Sequence, residues 1–141
     1  MAQYDSSTTN TSNRNSRPFK DIDLDFGRNT VTNDVMTVTD IVAIKRSVKN
    51  LIQTNFYERP FHPEMGCGVR ELLFENFTPI TGVFIKRKIA EVITNFEPRV
   101  TLNSVHLDDD PDNNRLVVDI YFYVTGIPGP QQVSTFLQRL R

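Results

Sequence analysis

Asn95-Phe96-Glu97-Pro98-Arg99-Val100 is the stretch at which the chain changes its period. Before it, Ile85, Ile89, Val92, Ile93 and Phe96 recur at helical spacing, with Lys86, Arg87, Lys88 and Glu91 on the opposite side. After it, apolar residues alternate. Pro98 has no backbone N–H to give and pushes Glu97 out of the α region, so the helix has to stop here. An acid and a base then flank a rigid residue at the seam between a helix and a sheet. One reading is a local helix stop with a solvated ion pair, worth little. The other is a docking knob, a fixed kink that presents a carboxylate and a guanidinium to a partner.

Working toward the C-terminus, Val100–Leu107 reads as a strand. Val100 and Leu102 are out of phase with Val105 and Leu107, which predicts a bulge near Asn103-Ser104. Asp108 to Asn114 reads as a turn. Leu116, Val118, Ile120, Phe122 and Val124 then alternate with Val117, Asp119, Tyr121, Tyr123 and Thr125, the clearest strand of the chain. The two strands form a hairpin whose second face is also half apolar. A hairpin alone is marginal, so further strands or helices must cover it. Gly126 to Pro130 reads as a break. Val133, Phe136, Leu137 and Leu140 share one side of a short terminal helix.

Working toward the N-terminus, Thr78-Pro79 opens the long helix with a capping hydroxyl followed by proline at the first helical position. Val69 to Asn76 reads as a short amphipathic helix. Before it, Glu58-Arg-Pro-Phe-His-Pro-Glu-Met-Gly-Cys-Gly68 holds two prolines and two glycines, which exclude regular structure. Phe61 and Met65 in that segment point to a packed, rigid loop. Asp40 caps a helix carrying Ile41, Ile44, Val48, Leu51 and Ile52 inward and ending near Thr54. Phe19 to Gly27 alternates apolar and acidic residues, as in a strand or extended arm with one dry face and Asp21, Asp23 and Asp25 on the wet one. Residues 1–16 are nearly all polar and are expected to form a disordered tail when free. The whole is an α+β fold: three to four helices on a hairpin-centred sheet, with residues 17–141 as one domain. So few strands leave an unpaired edge, a template for another chain's strand.

Composition narrows the function classes. A chain of 141 residues with net charge -1 lacks the basic excess of a general nucleic-acid binder. No apolar run approaches membrane-spanning length, and no signal-peptide apolar region is seen at the N-terminus. The single Cys67 excludes an internal disulfide and suits a reducing compartment.

The residue types present admit four candidate chemistries. Asp108, Asp110, Asp112, Asn114 and Asp119 fall at positions of a calcium-loop template, but Asn113 stands where glycine is wanted and the flanks read as strands. His62, Cys67 and His106 are of zinc-ligand type without a pairing motif, and a Cys67 nucleophile with a His base lacks a signature. Glu58, Glu64, Glu71 and Glu75 could serve glycoside hydrolysis, although Glu71 and Glu75 share a helix face and do not make opposing walls. No catalytic residue, metal ligand or cofactor is therefore assigned.

Four segments in this order and at these gaps carry a resemblance: Asp21-Ile-Asp-Leu-Asp-Phe26, Glu58-Arg-Pro-Phe-His-Pro-Glu-Met-Gly-Cys67, Glu71-Leu-Leu-Phe-Glu-Asn76 and Asn95-Phe-Glu-Pro-Arg99. The chain resembles, over about residues 17–125, the baseplate wedge family of T-even-like contractile phage tails, which includes the sheath-initiating baseplate subunit of type VI secretion systems. The family has also been labelled lysozyme-like. The resemblance implies a non-enzymatic virion component built like the sheath subunit's strand-exchange domain, assembled in the host cytoplasm, with six copies around the tail axis. It implies docking of Glu97, Pro98 and Arg99 on a helical bundle of the wedge, and a face near the tail tube. It implies a strand template for the first sheath ring, mapped here to Leu116, Val118, Ile120, Phe122 and Val124 of Leu116–Val124, with Val100–Leu107 beside it. Arg59, Pro60, Phe61, Gly66 and Cys67 would be the structural loop. On this reading Arg99→Ala should uncouple the protein from the wedge without unfolding it. A tail-associated muramidase and a calcium-stabilised adaptor are the alternatives.

Overall fold

The alternation that begins at Val100 runs further than the hairpin. In the computed structural model, which describes residues 19–74 and 77–138, three strands follow one another in the chain: β3 (Val100–Asp110), β4 (Arg115–Val124) and β5 (Ile127–Gln138). They pair antiparallel in the order β3-β4-β5. Every second residue of β4 is buried, and Leu116, Val118, Ile120 and Phe122 are fully enclosed. The expected bulge is present as a register shift between Leu102 and Ser104.

β5 replaces the terminal helix expected over Val133–Leu140. Val133, Phe136 and Leu137 fit a helical spacing, but Val133, Thr135 and Leu137 also fit a period of two, and those three are the buried ones. The deciding term is tertiary: β4 has a second backbone edge to satisfy, and β5 pairs with it from Gln138 opposite Arg115 to Ile127 opposite Val124. Thr125-Gly126 closes the tight connection, and Gly126 takes a left-handed φ of 82°, which glycine adopts without strain. Leu140 lies outside the described residues.

Among the described residues three helices precede the sheet: α1 (Asp40–Gln53), α2 (Val69–Leu72) and α3 (Pro79–Phe96). Asp40, expected as a cap, is the first residue of α1 and sits at φ 54°. The Thr78 hydroxyl caps α3 by accepting the Thr81 N–H at 3.2 Å. Ile44, Val48, Leu51 and Ile52 of α1 and Ile85, Ile89, Val92 and Ile93 of α3 are buried. They supply the helical half of the core, whose other half is the apolar face of β4. None of the described helices is long and apolar enough to cross a membrane.

The chain divides into two compact units, Met1–Ala43 and Ile44–Arg141. In the first, β1 (Lys20–Ile22) pairs antiparallel with β2 (Thr37–Thr39), Lys20 opposite Thr39. The ribbon continues through Asp23 N–H to Met36 O (2.9 Å) and Met36 N–H to Gly27 O (2.7 Å). The expected alternating arm is thus only three residues of strand, and its supposed dry face is exposed at Ile22, Leu24 and Phe26. The polar tail of residues 1–16 lies outside the described residues.

The loop between α1 and α2 is held by its backbone. Cys67 N–H reaches Thr54 O (2.9 Å), Tyr57 N–H reaches Pro63 O (2.9 Å), and Asn55 N–H and Nδ2 bind the two oxygens of Glu58. Phe61, expected to pack, is 91% exposed at the loop tip, with exposed Arg59 and Pro60 beside it. The rigid part is Gly66-Cys67, where a Cβ on Gly66 would lie 2.5 Å from the Asn55 carbonyl carbon and 2.6 Å from its oxygen. Both are backbone atoms, so the turn itself would have to open. Gly66→Ala is expected to cost about 2–3 kcal/mol, comparable to overpacking a core. A urea melt of this variant against the wild type checks it, and a loss under about 1 kcal/mol would count against the close approach.

Candidate functional site

The helix stop at Glu97 is where α3 hands the chain to the sheet. Glu97 caps α3 with φ -127° and ψ 74°, its N–H still donating to Ile93 O at 2.9 Å. Val100 N–H donates to Glu97 O at 3.1 Å, closing a turn around Pro98, and β3 begins. This geometry turns the Glu97 side chain inward, where the residue is only 2% exposed. Its carboxylate accepts hydrogen bonds from Ser47 Oγ on α1 (2.6 Å), from Arg99 Nη2 (2.6 Å) and from Arg99 Nε. Burial pushes the Glu97 carboxyl up, but the hydrogen bonds from Arg99 and Ser47, with the guanidinium charge, outweigh it and hold the carboxyl below its usual range.

This corrects the image of a knob offering an acid and a base together. The acid is an internal anchor tying α1, the end of α3 and the start of β3. Only Pro98, exposed, and Arg99, half-exposed, are within a partner's reach. The planar guanidinium is held by two parallel bonds to one carboxylate, an arrangement lysine cannot reproduce.

The strand expected to serve as a template lies inside the sheet. Leu116, Val118, Ile120, Phe122 and Val124 belong to the central strand, with Ile120 opposite Val105 on one side and Val133 on the other. Both backbone edges of β4 are taken within the chain, so β4 cannot accept a foreign strand. β5 caps the margin that the hairpin was expected to leave bare. The sheet's outer margins are β3 and β5.

The two margins differ chemically. β3 follows Pro98, is bulged at Asn103, and ends in Asp108, Asp109 and Asp110. A bulge and charges are both features that discourage edge pairing. β5 is guarded by Pro128 and Pro130 at its start, but Gln131–Gln138 reads Gln-Gln-Val-Ser-Thr-Phe-Leu-Gln. These eight residues contain no charge, no proline and no glycine, and their register with β4 has no shift. Sequence reasoning missed this margin because it read the segment as helix; the alternation of Val133, Thr135 and Leu137 was the available signal.

The chemical alternatives do not converge. Asp110 accepts from Asn113 Nδ2 (2.8 Å) and Arg115 Nε (2.9 Å), while Asp119 lies within β4 and accepts from Ser134 Oγ (2.5 Å). His106 stacks edge-on against Tyr121, His62 meets Glu64 at 3.2 Å in an exposed loop, and Cys67 is fully buried. Among the described residues no three His, Cys, Asp or Glu side chains are grouped to hold a metal. Burial pushes the Cys67 thiol up to about 12, which leaves it protonated and a poor nucleophile at neutral pH. A hydrolytic general acid needs a raised carboxyl. Glu58 is lowered by hydrogen bonds from Asn55, and Glu64 by its own backbone N–H and His62. Glu71 lines a 530 Å³ cleft with Arg70, Phe74 and Phe136, and Glu75 lies outside the described residues.

Comparison with known proteins agrees with this geometry. The sequence model of the family described as Baseplate wedge protein gp25 matches residues 39–128, so most of β5 lies past the matched segment. The chain is 37% identical over 95 residues to Baseplate wedge protein gp25 of Enterobacteria phage T4, covering 67% of this chain and 72% of that protein. A chain of the anti-feeding prophage baseplate superposes with TM-score 0.68 at 26% identity, over 77% of this chain and 86% of that one. A Geobacter sulfurreducens chain labelled as a tail lysozyme shares the fold with TM-score 0.69 at 23% identity, over 76% and 98% of the two chains. The protein belongs to the family of Baseplate wedge protein gp25, structural components of contractile-tail baseplates.

Proposed function

We propose that the protein starts the sheath at the baseplate by strand addition, with Gln131–Gln138 of β5 as the accepting edge, and is anchored to the wedge through the Pro98-Arg99 corner. The observation that carries the reading is the bare chemistry of that edge. Backbone groups along an outer strand pair with a second strand unless charge, proline or a bulge prevents it, and β5 has none of these over eight residues. Added backbone hydrogen bonds give attachment. The inward set Val133, Thr135 and Leu137 is already committed to the core, so the outward set Gln132, Ser134 and Phe136 is left to fix register. Six copies around the tail axis, with one face toward the tube, would offer the first sheath ring six equivalent margins.

Gln132→Lys with Phe136→Lys tests this, because both side chains are exposed and lysine is the commonest natural edge guard. The double variant is expected to melt within about 0.5 kcal/mol of the wild type, as exposed substitutions do. Assembled baseplates should form, and the fraction carrying a polymerised sheath, counted by electron microscopy, should drop at least about tenfold, a loss of about 1.4 kcal/mol or more in the nucleating contact. Sheathed tails at the wild-type fraction would refute the assignment of the edge.

A further inference from the structure

α3 carries two apolar stripes, and the core uses only one. Ile85, Ile89, Val92 and Ile93 are buried. About half a turn round the helix, Ile80, Val83 and Phe84 point outward and are 69%, 66% and 55% exposed. They stand at i, i+3 and i+4, so they are neighbours on the surface of the first two turns. Scattered exposed apolar residues are ordinary, but a contiguous outward stripe on an otherwise amphipathic helix marks an interaction surface.

The next turn supplies the charge. Arg87 continues the stripe at i+7 from Ile80, with Lys86 and Lys88 on its two flanks. Lys88 Nζ lies 5.9 Å from the centre of the Phe56 ring. Glu91 follows one turn later, so the stripe ends in a cationic collar of three residues against one acid.

The collar decides between occupants. A second copy placing this surface against itself would set three cations against three. Residues 1–18 of the same chain offer one carboxylate, Asp5, against two cations, Arg14 and Arg17, and few apolar side chains. We propose that the outward face of α3 seats an acidic amphipathic helix of another baseplate subunit, its apolar residues at i, i+3 and i+4 on Ile80, Val83 and Phe84 and its carboxylates one turn further against Lys86 and Arg87. This surface is at the opposite end of α3 from Glu97, about 24 Å away along the axis. It rests on family membership and not on the sheath-initiating role.

The test is photo-crosslinking in assembled baseplates carrying the full chain with Phe84→p-benzoylphenylalanine, and with Lys49→p-benzoylphenylalanine as an exposed control, the products being sequenced by mass spectrometry. The expected product joins position 84 to one other subunit, within a segment with apolar residues at i and i+3 or i+4 and at least two carboxylates. Adding Lys86→Glu with Arg87→Glu should cut its yield at least about fivefold at unchanged sheath fraction, through like-charge contact. A product with a second copy, with residues 1–18 of the same chain, or with a segment lacking carboxylates overturns the proposal. So does a yield no higher than at position 49, or one insensitive to charge reversal.

Discussion

Phe122→Ala is expected to lower the unfolding free energy by about 3–5 kcal/mol, the largest loss from any single truncation in the sheet. Phe122 is fully buried at the centre of β4, opposite Leu102 on one side and Gln131 on the other. The cost has two parts: the transfer of a large apolar side chain, and the cavity left between the sheet and the two helices. Paired strands on both sides prevent β4 from sinking into the gap, so relaxation recovers little. In a domain of this size the loss corresponds to a fall in melting temperature of more than about 10 °C, read by circular dichroism. The exposed neighbour Tyr123 supplies the control, and Tyr123→Ala should stay within about 1 kcal/mol. Equal effects at the two positions would mean that the face assignment of β4 is wrong.

Arg99→Ala carries the second large effect, and it amends what the sequence suggested. Removing the guanidinium leaves the Glu97 carboxylate buried, with Ser47 as its remaining described side-chain donor. Breaking a fully buried pair costs about 3–5 kcal/mol; because the Arg99 side chain is 34% exposed, about 2–3 kcal/mol is expected here. The variant should therefore lose stability as well as any wedge contact. In a double-mutant cycle with Glu97→Ala the two losses should be non-additive by more than about 1 kcal/mol. Additive losses would mean that the pair is not coupled. Wedge docking is better read from Arg99→Lys, which keeps the charge and gives up the fork.

The same cluster sets an acid limit. The Glu97 carboxyl is lowered in the folded state from its ordinary 4.5, so its contribution is fully present above that value. It is lost as pH falls through the lower folded value, because the unfolded chain then binds the proton first. As pH falls below about 4.5 the wild type should lose stability more steeply than Glu97→Gln, which has no proton to take up there. Urea midpoints at several pH values make the comparison.

Much of the fold was written in local pattern. The 3.6-residue period before Glu97, the clean alternation from Leu116 to Val124, the Thr78-Pro79 start and the phase slip at Asn103 each have a cause confined to a few neighbouring residues. That is why α3, β4, the cap and the bulge stand where the sequence put them. The family was legible for a related reason. Glycines, prolines and a buried ion pair at fixed gaps are constraints that few other side chains satisfy, as the close approach of Gly66 to Asn55 illustrates.

Direction and partnership were not local. Glu97 and Arg99 were visible as a pair, but Ser47, 50 residues earlier, is what draws the carboxylate inward. Val133, Phe136 and Leu137 satisfy a helical spacing while Val133, Thr135 and Leu137 satisfy a strand spacing, and a segment of eight residues offers too little length to separate them. The choice fell to β4, whose unpaired edge was worth more when met by a third strand than the segment's own helix was worth in isolation. In β4 the residue pattern alone determined which side chains are dry. Only the assembled sheet decided which backbone edge remains to be shared, since an edge is a property of neighbours in space and not of any stretch of sequence.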